Sequence, residues 1–462
     1  MIKGYTKFAL RQDMSALSSC WYLPLYCDRM LIMKQTAKPD VLSLRKRILV
    51  LGVGLFLLAF WPAAAAEITI DRMEMASRGR VNDGEFVVSS LLSADLALSG
   101  GYKYSFLLGF SLEAPDIARA FAYRNLRFDP LLPIDPPGGG VTEDDYNALV
   151  DRYNTQSDMI NNQAVLGFRI AKATVRDVFG LPLELSYFLG AGDDFCSGDD
   201  FVPRFGISPF GTDFRGFLYF PDGIGGNPTR RYNGIYGVRG TGFSLGLTKW
   251  ESFIPILYLY QDFPYFSGFI NGTGITENLY SGDLRLLFCH DSLRFEFFGG
   301  LSLNSSLDTN IRGGLMAHLL GNGVEFFVQG GIPGWTTGEK FSIDNIFFLI
   351  EPRLHLNPLS LYVTFFYHPV EYLHIITPDE KGKANINIKF LFGNTESGLS
   401  GGLETGGDLK VHETENFLFY ITPLGTFISG GLRWDAKIRI RPLDYDVPGE
   451  MFDFFIGVRT AF

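Results

Sequence analysis

The chain has 462 residues, of which 46% are hydrophobic, 15% aromatic and 19% charged, and its formal net charge is −10. It is too apolar to be disordered, and its acidic balance gives no electrostatic surface for nucleic acid. Its 43 Phe and 53 Gly, set against so few charged residues, are unusual for a soluble enzyme.

The first element in chain order is a predicted export signal. Residues 45–47 are basic, residues 48–61 are apolar, and Ala64 and Ala66 form an A-x-A motif, which together are typical of a secretory signal peptide. The apolar run is shorter than the roughly 20 residues of a membrane-spanning helix, and a retained anchor is the second interpretation. We predict that residues 33–66 are the signal peptide, that residues 1–32 are a misassigned N-terminal extension, and that the mature chain begins at Glu67.

Apolar and polar residues alternate along most of the remaining chain. In the segment 84–113, one face carries Phe86 and Val88 with other apolar residues, whereas the opposite face carries Asp95. Such alternation predicts β-strands with one apolar and one polar face. Further strands are predicted at 163–176, 181–190, 233–248, 254–262, 278–289, 293–303, 310–320, 324–332, 343–355, 359–368, 384–393, 398–407, 415–422, 426–440 and 451–462, with a weak one at 67–76.

Short and longer connections take turns between these strands. The predicted short ones are 100–101, 177–180, 249–253, 290–292, 321–323, 357–358, 394–397 and 423–425. The others are 77–83, 114–162, 191–232, 263–277, 304–309, 333–342, 369–383, 408–414 and 441–450. Alternate connections of an up-and-down barrel lie at the same end, so one rim is predicted to carry tight turns and the other long loops.

With its export signal, alternation, loop asymmetry and terminal Phe462, the region 67–462 resembles the bacterial transmembrane outer-membrane β-barrel class. The resemblance implies an all-β, antiparallel up-and-down transmembrane β-barrel of about 16–18 strands in the outer membrane of a diderm bacterium. It also implies that outer-membrane lipid surrounds the barrel. The barrel-assembly machinery would recognise Phe462 before the last strand seals to the first. The alternative is a secreted soluble β-protein, whose outer strand faces would be polar.

The polar strand faces would line the interior of such a barrel. The candidate lumen-lining residues are charged: Arg285, Arg294, Glu296, Lys389, Arg433, Asp435, Lys437, Arg439, Asp453 and Arg459. Two interpretations stay open, a hydrated channel lined by charge and an interior network of ion pairs, because charge inside a barrel needs water or partners. In the first case the basic residues of the last two strands outnumber the acidic ones and predict a weak preference for anions.

The two long loops 114–162 and 191–232 are predicted at the external rim. Residues 142–161 have the N-terminal acids and the apolar spacing of a short helix, which lies either on the surface or over the pore. Loop 191–232 holds Cys196 among several aspartates, and we expect Cys196 to be reachable from outside unless it is paired or shielded by the loop. The aspartate spacing does not match the EF-hand calcium loop, so no metal site is predicted, and whether Cys196 pairs with Cys289 stays open.

Catalytic motifs are weak. Residues 242–246 match G-x-S-x-G, but they fall within a predicted strand rather than at the strand-to-helix turn that such a nucleophile needs. We therefore expect no enzyme and no cofactor. The expected function is a channel or transporter for small solutes across the outer membrane. The alternative is a non-conducting surface barrel whose external loops bind partners, as an adhesin does.

Overall fold

The computed structural model describes residues 67–82, 85–120, 146–148, 150–152, 154–155, 163–208, 210–212, 234–248, 252–266, 276–303, 309–368, 383–393, 398–410, 417–445 and 451–460. The predicted N-terminal extension, the signal peptide and Phe462 lie outside these residues. Two compact units are present. The smaller one includes helical residues within 146–155, where Thr155 Oγ1 donates to the carbonyl oxygen of Asp151 at 2.8 Å, as the spacing in 142–161 predicts.

The larger unit consists mainly of β-strands. Its first nine strands are β1 (Glu67–Asn82), β2 (Glu85–Gly100), β3 (Tyr104–Ala114), β4 (Val165–Arg176), β5 (Leu183–Phe195), β6 (Tyr236–Leu247), β7 (Phe253–Phe266), β8 (Thr276–His290) and β9 (Leu293–Leu303). The next nine are β10 (Thr309–Leu320), β11 (Val324–Thr336), β12 (Phe347–Leu356), β13 (Leu359–His368), β14 (Lys383–Gly393), β15 (Gly398–Lys410), β16 (Phe417–Ser429), β17 (Leu432–Ile440) and β18 (Phe452–Thr460). Two short helices are α1 (Ile117–Ala120) and α2 (Phe201–Phe205).

These strands form one closed antiparallel sheet of 18 strands in which each strand pairs with its neighbours in the sequence. The first strand closes the ring by pairing with the last, with Glu74 opposite Arg459 and Arg80 opposite Asp453. Closure leaves the described sheet without a free long edge, which is how barrels avoid pairing with other chains. The predicted all-β up-and-down barrel is therefore confirmed, at the upper end of the expected strand count.

The two faces of the strands differ as the alternation predicts. On β14, Ile386, Phe390 and Phe392 are exposed, whereas Asn387 and Lys389 between them are buried. Large exposed apolar side chains recur on strand after strand around the ring. An apolar outer face with a polar interior, an even number of strands and antiparallel order are the architecture of the outer-membrane β-barrel class.

The connections define two rims. The short-turn rim holds the connections 101–103, 177–182, 248–252, 291–292, 321–323, 357–358, 394–397 and 430–431. The other rim, the long-loop rim, includes the connections 115–164 and 196–235. One expected loop of this second rim was wrong: most of 77–83 belongs to β1, which pairs with β2 as far as Asn82 opposite Glu85.

The β16–β17 hairpin also differs from the prediction. The expected turn at 423–425 lies inside β16, and the turn is formed by Gly430 and Gly431, with φ values of 60° and 75°. Two successive left-handed residues suit the two-residue turn of a hairpin, which favours glycine. Pro423 was misleading because it has no N–H, and the β16–β17 ladder skips from Ile421 to Leu424 without ending the strand.

The loop predicted at 191–232 is not wholly external. Strand β5 continues to Phe195, and the chain after it packs against side chains of the barrel interior. We call residues 193–212 the inner segment, which the structure describes at 193–208 and 210–212. Phe195, Cys196 and Phe201 in this segment are fully buried in an aromatic cluster with the inner faces of the neighbouring strands.

Candidate functional site in the barrel interior

The first attachment of the inner segment to the barrel wall is at Cys196. Its N–H donates to Glu296 Oε1 at 2.6 Å, and the side chain of Gln329 donates to its carbonyl oxygen. Cys196 has a φ of 61°, a left-handed conformation that few residues other than glycine adopt. Asp200, just before α2, forms an ion pair with Arg285.

Arg285 is the centre of this attachment and is fully buried. Its Nε donates to Glu296 Oε1 at 2.6 Å, and its guanidinium lies 5.1 Å from the centroid of the Phe195 ring. Two carboxylates, Glu296 and Asp200, balance its charge. A buried charge is tolerated only when it is paired and hydrogen-bonded in this way.

A second attachment holds the far end of the described inner segment. Thr212 Oγ1 donates to Glu351 Oε2 at 2.6 Å, and Thr364 on β13 donates to the same oxygen at 2.9 Å. The guanidinium of Arg353 donates to the carbonyl oxygen of Gly211 and to Glu351 at 2.6 Å. These polar bonds connect the segment to β12 and β13.

Phe210 adds a ring contact to this second attachment. It stacks on His318 with ring centroids 5.1 Å apart, and the Arg294 guanidinium lies 4.9 Å from its centroid. Arg294 Nη1 is 3.1 Å from His318 Nδ1, and because a guanidinium can only donate, Nδ1 accepts. His318 is therefore neutral here and donates from Nε2 to Glu325 at 3.0 Å.

An enclosed polar network lies beside the inner segment. Arg312 donates from Nε and Nη2 to Asp283 at 2.6 and 2.9 Å, and Tyr260 donates to the same carboxylate at 2.8 Å. Tyr236 donates to Asp262 at 3.0 Å. These groups satisfy one another's hydrogen-bonding capacity, which gives them a structural role in the packed part of the interior.

The wall formed by β14 to β17 carries a different arrangement around Glu404. Its carboxylate lies 3.7 Å from Lys437 and 3.4 Å from Arg439, and Lys389 is directly opposite it in register. The Arg439 guanidinium also lies 4.0 Å from the centroid of the Tyr420 ring. Glu404 is a charge that the sequence analysis left out of this wall.

Asp453 and Asp435 organise the arginines where the last strand meets the first. Asp453 pairs with Arg78 of β1 at 2.9 Å and with Arg441 at 2.6 Å. Asp435 accepts from Arg433 Nε at 3.0 and 3.2 Å to its two oxygens. These carboxylates connect β17, β18 and β1 across the closure of the barrel.

Asp435 also contacts a second arginine. Arg459 Nε lies 3.8 Å from it, and Thr426 Oγ1 donates to it at 2.6 Å. A third arginine, Arg72 on β1, pairs with Glu74 at 2.8 Å.

The more exposed partner of an ion pair differs from place to place in the interior. Around β17, β18 and β1 to β4 the cation is the more exposed partner, with side-chain exposures of 30% for Arg433 against 4% for Asp435 and 29% for Arg169 against 9% for Asp95. At Arg285 the order reverses, with 0% for Arg285 and 20% for Asp200. Long basic side chains thus cover the short acids around β17, β18 and β1 to β4, and the surface offered to solvent there is cationic.

The structure separates the ten candidate residues into distinct groups. Arg285 and Glu296 hold the inner segment at Cys196, and Arg294 contacts its Phe210. Lys389, Lys437 and Arg439 surround Glu404, whereas Arg433 and Arg459 share Asp435, and Asp453 binds Arg78. Four further charged residues belong to these groups but were not among the candidates, although they alternate with apolar residues on β1 and β15 in the same way: Arg72, Glu74, Arg78 and Glu404.

Cys196 is fully buried, which agrees with the alternative that the loop shields it from outside. Burial and the nearby Glu296 carboxylate raise the pKa of its thiol well above the ordinary value. Cys196 and Cys289 are both free thiols. The aspartates around Cys196 bind wall residues, such as Lys172 with Asp193 at 2.8 Å and Arg239 with Asp194 at 3.0 Å.

The G-x-S-x-G sequence lies inside β6 with Ser244 buried, so it has no strand-to-helix turn. Among the described residues, no cluster of three or more His, Cys, Asp or Glu side chains could hold a metal ion. The described helices are all too short or too polar to cross a membrane.

No protein-family model and no curated protein matches the sequence. Solved bacterial porins are similar in structure. A BenF-like porin from Pseudomonas fluorescens has a TM-score of 0.43 and 9% identity, over 85% of this chain and 97% of the porin. A triple mutant of the Rhodopseudomonas blastica porin has a TM-score of 0.38 and 8% identity, over 85% of this chain and 99% of the porin.

Proposed function

We propose that this protein is an outer-membrane channel for small solutes. The observation that carries the proposal is the closed barrel of 18 strands, apolar outside and charged inside. Barrels of about 16–18 strands are wide enough to leave an aqueous passage between their side chains. The inner segment takes up the interior beside β8 to β13, so the passage would be narrow and limited to small solutes.

The proposed passage follows the side of the interior where charged side chains retain exposure. Arg433, Lys437 and Arg459 are 30%, 21% and 25% exposed and would line it. Lys389, Arg439, Asp435 and Asp453 are buried at the same wall and would set its charge. Arg285, Arg294 and Glu296 would act indirectly, because they hold the inner segment in place.

The proposed channel prefers anions weakly. The acids of the passage wall are buried beneath more exposed arginines and lysines, and fixed charge in a narrow pore attracts counter-ions. Glu404 reduces the excess of positive charge that Lys437 and Arg439 contribute. We therefore assign most of the anion preference to Arg433 and Arg459, which lie at Asp435.

A planar-bilayer recording of the purified protein tests the channel. Stepwise single-channel conductance is expected, and the reversal potential in a potassium chloride gradient should indicate anion preference. A protein that inserts but gives no steps would contradict channel function. A cation-selective reversal potential would contradict only the proposed selectivity.

The second candidate is a non-conducting surface barrel whose long loops bind partners. Two attachments and an aromatic cluster fix the inner segment inside the barrel, and this packing favours a closed interior. Absence of conductance, together with binding of the purified protein to a partner surface, would support this candidate.

The proposed location is the outer membrane, with lipid around the apolar face and the barrel-assembly machinery as the partner that inserts the chain. We place the short-turn rim on the periplasmic side, because short turns mark that side in this class. In a variant lacking Cys196 and Cys289, Ser292→Cys should stay unlabelled by an impermeant thiol reagent on intact cells. Labelling from outside would reverse the orientation.

A further inference from the structure

The two attachments of the inner segment differ in the chemistry of the groups that hold them. The first one, at Cys196, depends on Arg285 and its carboxylate partners. The second one includes an imidazole, because Phe210 stacks on His318 with ring centroids 5.1 Å apart. Histidine is the side chain that ordinarily changes its charge between about pH 5 and pH 8. A change of pH in this range should therefore act on the second attachment and leave the first in place.

His318 lies between a donor and an acceptor in a way that only the neutral ring allows. Its Nδ1 accepts from Arg294 Nη1 at 3.1 Å, and its Nε2 donates to Glu325 at 3.0 Å. A protonated imidazole carries a hydrogen on both nitrogens and accepts at neither. A guanidinium can only donate, so protonation would turn the contact of Arg294 with Nδ1 into two positively charged donors facing each other.

Arg294 connects this ring to the inner segment. Besides its contact with His318, its guanidinium lies 4.9 Å from the centroid of the Phe210 ring, a distance at which a cation and an aromatic ring attract each other. Phe210 is thus held by a neutral imidazole and a guanidinium that are hydrogen-bonded to each other. Repulsion between Arg294 and a charged imidazole would separate these two groups and remove the cation–π contact with Phe210.

The other charged groups around the ring come from β11 and β12. Glu325 on β11 pairs with Arg353 at 3.1 Å and lies 3.6 Å from His355, both on β12. Glu325 would stabilise a charged His318 in part, but it also binds Arg353, which is a second cation beside the ring. The added proton would therefore meet an arginine on each side and one shared carboxylate.

The position of the ring gives it access to protons at one end of the barrel. His318 is the last residue but two of β10, and Arg294 is the second residue of β9. Both lie next to turns of the short-turn rim, where Glu325 and His355 are 25% and 33% exposed. The ring would respond to the pH of the solution at that rim.

We infer that His318 is a proton-operated latch for the inner segment. The neutral ring holds Phe210 against the barrel wall, and the protonated ring releases it by displacing Arg294. The bonds of Gly211 and Thr212 would then hold the far end of the segment alone. The latch itself does not depend on channel function. Its expected effect on conductance, a wider passage at acid pH, rests on the proposed function.

The test follows Phe210 itself by fluorine NMR. A fluorinated phenylalanine replaces Phe210 in the full chain folded in detergent, and spectra are recorded from about pH 7.5 to about pH 5, the range in which imidazoles titrate. His318→Gln is the decisive variant, because an amide can accept from Arg294 and donate to Glu325 without becoming charged. His355→Gln is the matched control, because His355 also faces Glu325 but packs against Tyr362.

A second signal from the released ring should appear at acid pH in the wild type and in His355→Gln. Its population relative to the bound signal should rise about tenfold or more, the change expected when a hydrogen bond to a charged group is lost. His318→Gln should keep the bound signal throughout. The latch would be overturned by a wild type without an acid response, by an acid response that persists in His318→Gln, or by its loss in His355→Gln.

Two further measurements keep the result decisive. If His318→Gln does not fold, Arg294→Gln removes the cation that faces Nδ1, and an undiminished acid response in that variant would contradict the mechanism. Bilayer recordings at the same pH values separate the latch from the channel. Acid release of Phe210 without conductance at any pH would support the latch and reject the channel, whereas conductance with an unchanging Phe210 signal would reject only the latch.

Discussion

At the scale of single residues, the interior contains two kinds of arginine that sequence alternation does not distinguish. Arg285 and Arg433 both occupy polar positions in strands, yet Arg285 is fully enclosed and Arg433 is 30% exposed. The difference comes from the inner segment, which covers Arg285 and leaves Arg433 uncovered.

This contrast predicts unequal effects on stability. Arg285→Met would leave the fully buried Glu296 without its cation, and Glu296 already has one buried oxygen with no hydrogen-bond partner in the described structure. Breaking a buried pair costs about 3–5 kcal/mol. Arg433→Met should cost less, about 1 kcal/mol, because Arg433 is 30% exposed and the buried Asp435 keeps Thr426 and Arg459 as partners. Denaturant unfolding in detergent measures both, and equal losses would refute the distinction.

The two cysteines should also react differently. Cys196 is fully buried and burial raises the pKa of its thiol, whereas Cys289 is partly exposed. A small thiol reagent should modify Cys289 in the folded barrel and Cys196 only after unfolding, since the thiolate is the reactive form. Mass spectrometry of modified peptides measures the two rates. Fast modification of Cys196 in the folded protein would show that the inner segment leaves the interior.

At the scale of elements, the β16–β17 hairpin depends on its turn. Gly430 has a φ of 60°, and a side chain in that conformation costs roughly 1–2 kcal/mol. We expect Gly430→Val to lower the free energy of unfolding by about that amount or more, because a β-branched residue is poorly suited to it. Gly425→Ala in β16 is the control, because a Cβ there meets nothing within 4 Å. Similar effects at both positions would contradict the assigned turn.

Strand alternation predicted most of the barrel because an apolar outer face and a polar inner face impose a period of two on nearly every strand. Prediction of the strand ends failed where one residue type is common in two kinds of structure. Pro423 suggested a turn, but a proline is also tolerated where a ladder is interrupted. The glycine pair at 430–431 was the better signal, just as the glycine pair at 100–101 marks the turn after β2.

The inner segment could not be predicted in the same way. Its aspartates and its glycines are typical of an external loop, and alternation says nothing about a chain that folds back inside a barrel. The burial of Phe195 and Phe201 depends on partners such as Phe298 from distant strands. Likewise, the sequence shows which residues of β17 are charged. The pairing of Arg439 with Glu404 follows only from the register of β15, β16 and β17.

At the scale of the whole molecule, the last strand completes the barrel. Strand β18 pairs with both β17 and β1, so the chain must deliver its final segment to its first. Removal of Phe462 should therefore reduce the amount of protein in the outer membrane more than it reduces synthesis, because the resemblance assigns this residue to recognition by the assembly machinery. Fractionation with immunoblotting measures both quantities, and Phe462→Tyr is the control that keeps an aromatic ring. Equal insertion of the truncated chain would contradict the prediction.

The pairing of β1 with β18 has a kinetic consequence. Met73 donates its N–H to Thr460 Oγ1 across a separation of 387 residues, whereas neighbouring strands meet across short turns on at least one side. Chain entropy opposes such a distant encounter, and contacts of this range form slowly. Arg459 and Glu74 come into register only at this late step. The ion pair between Arg78 and Asp453 would likewise form only when the barrel seals, so unfinished intermediates would lack it.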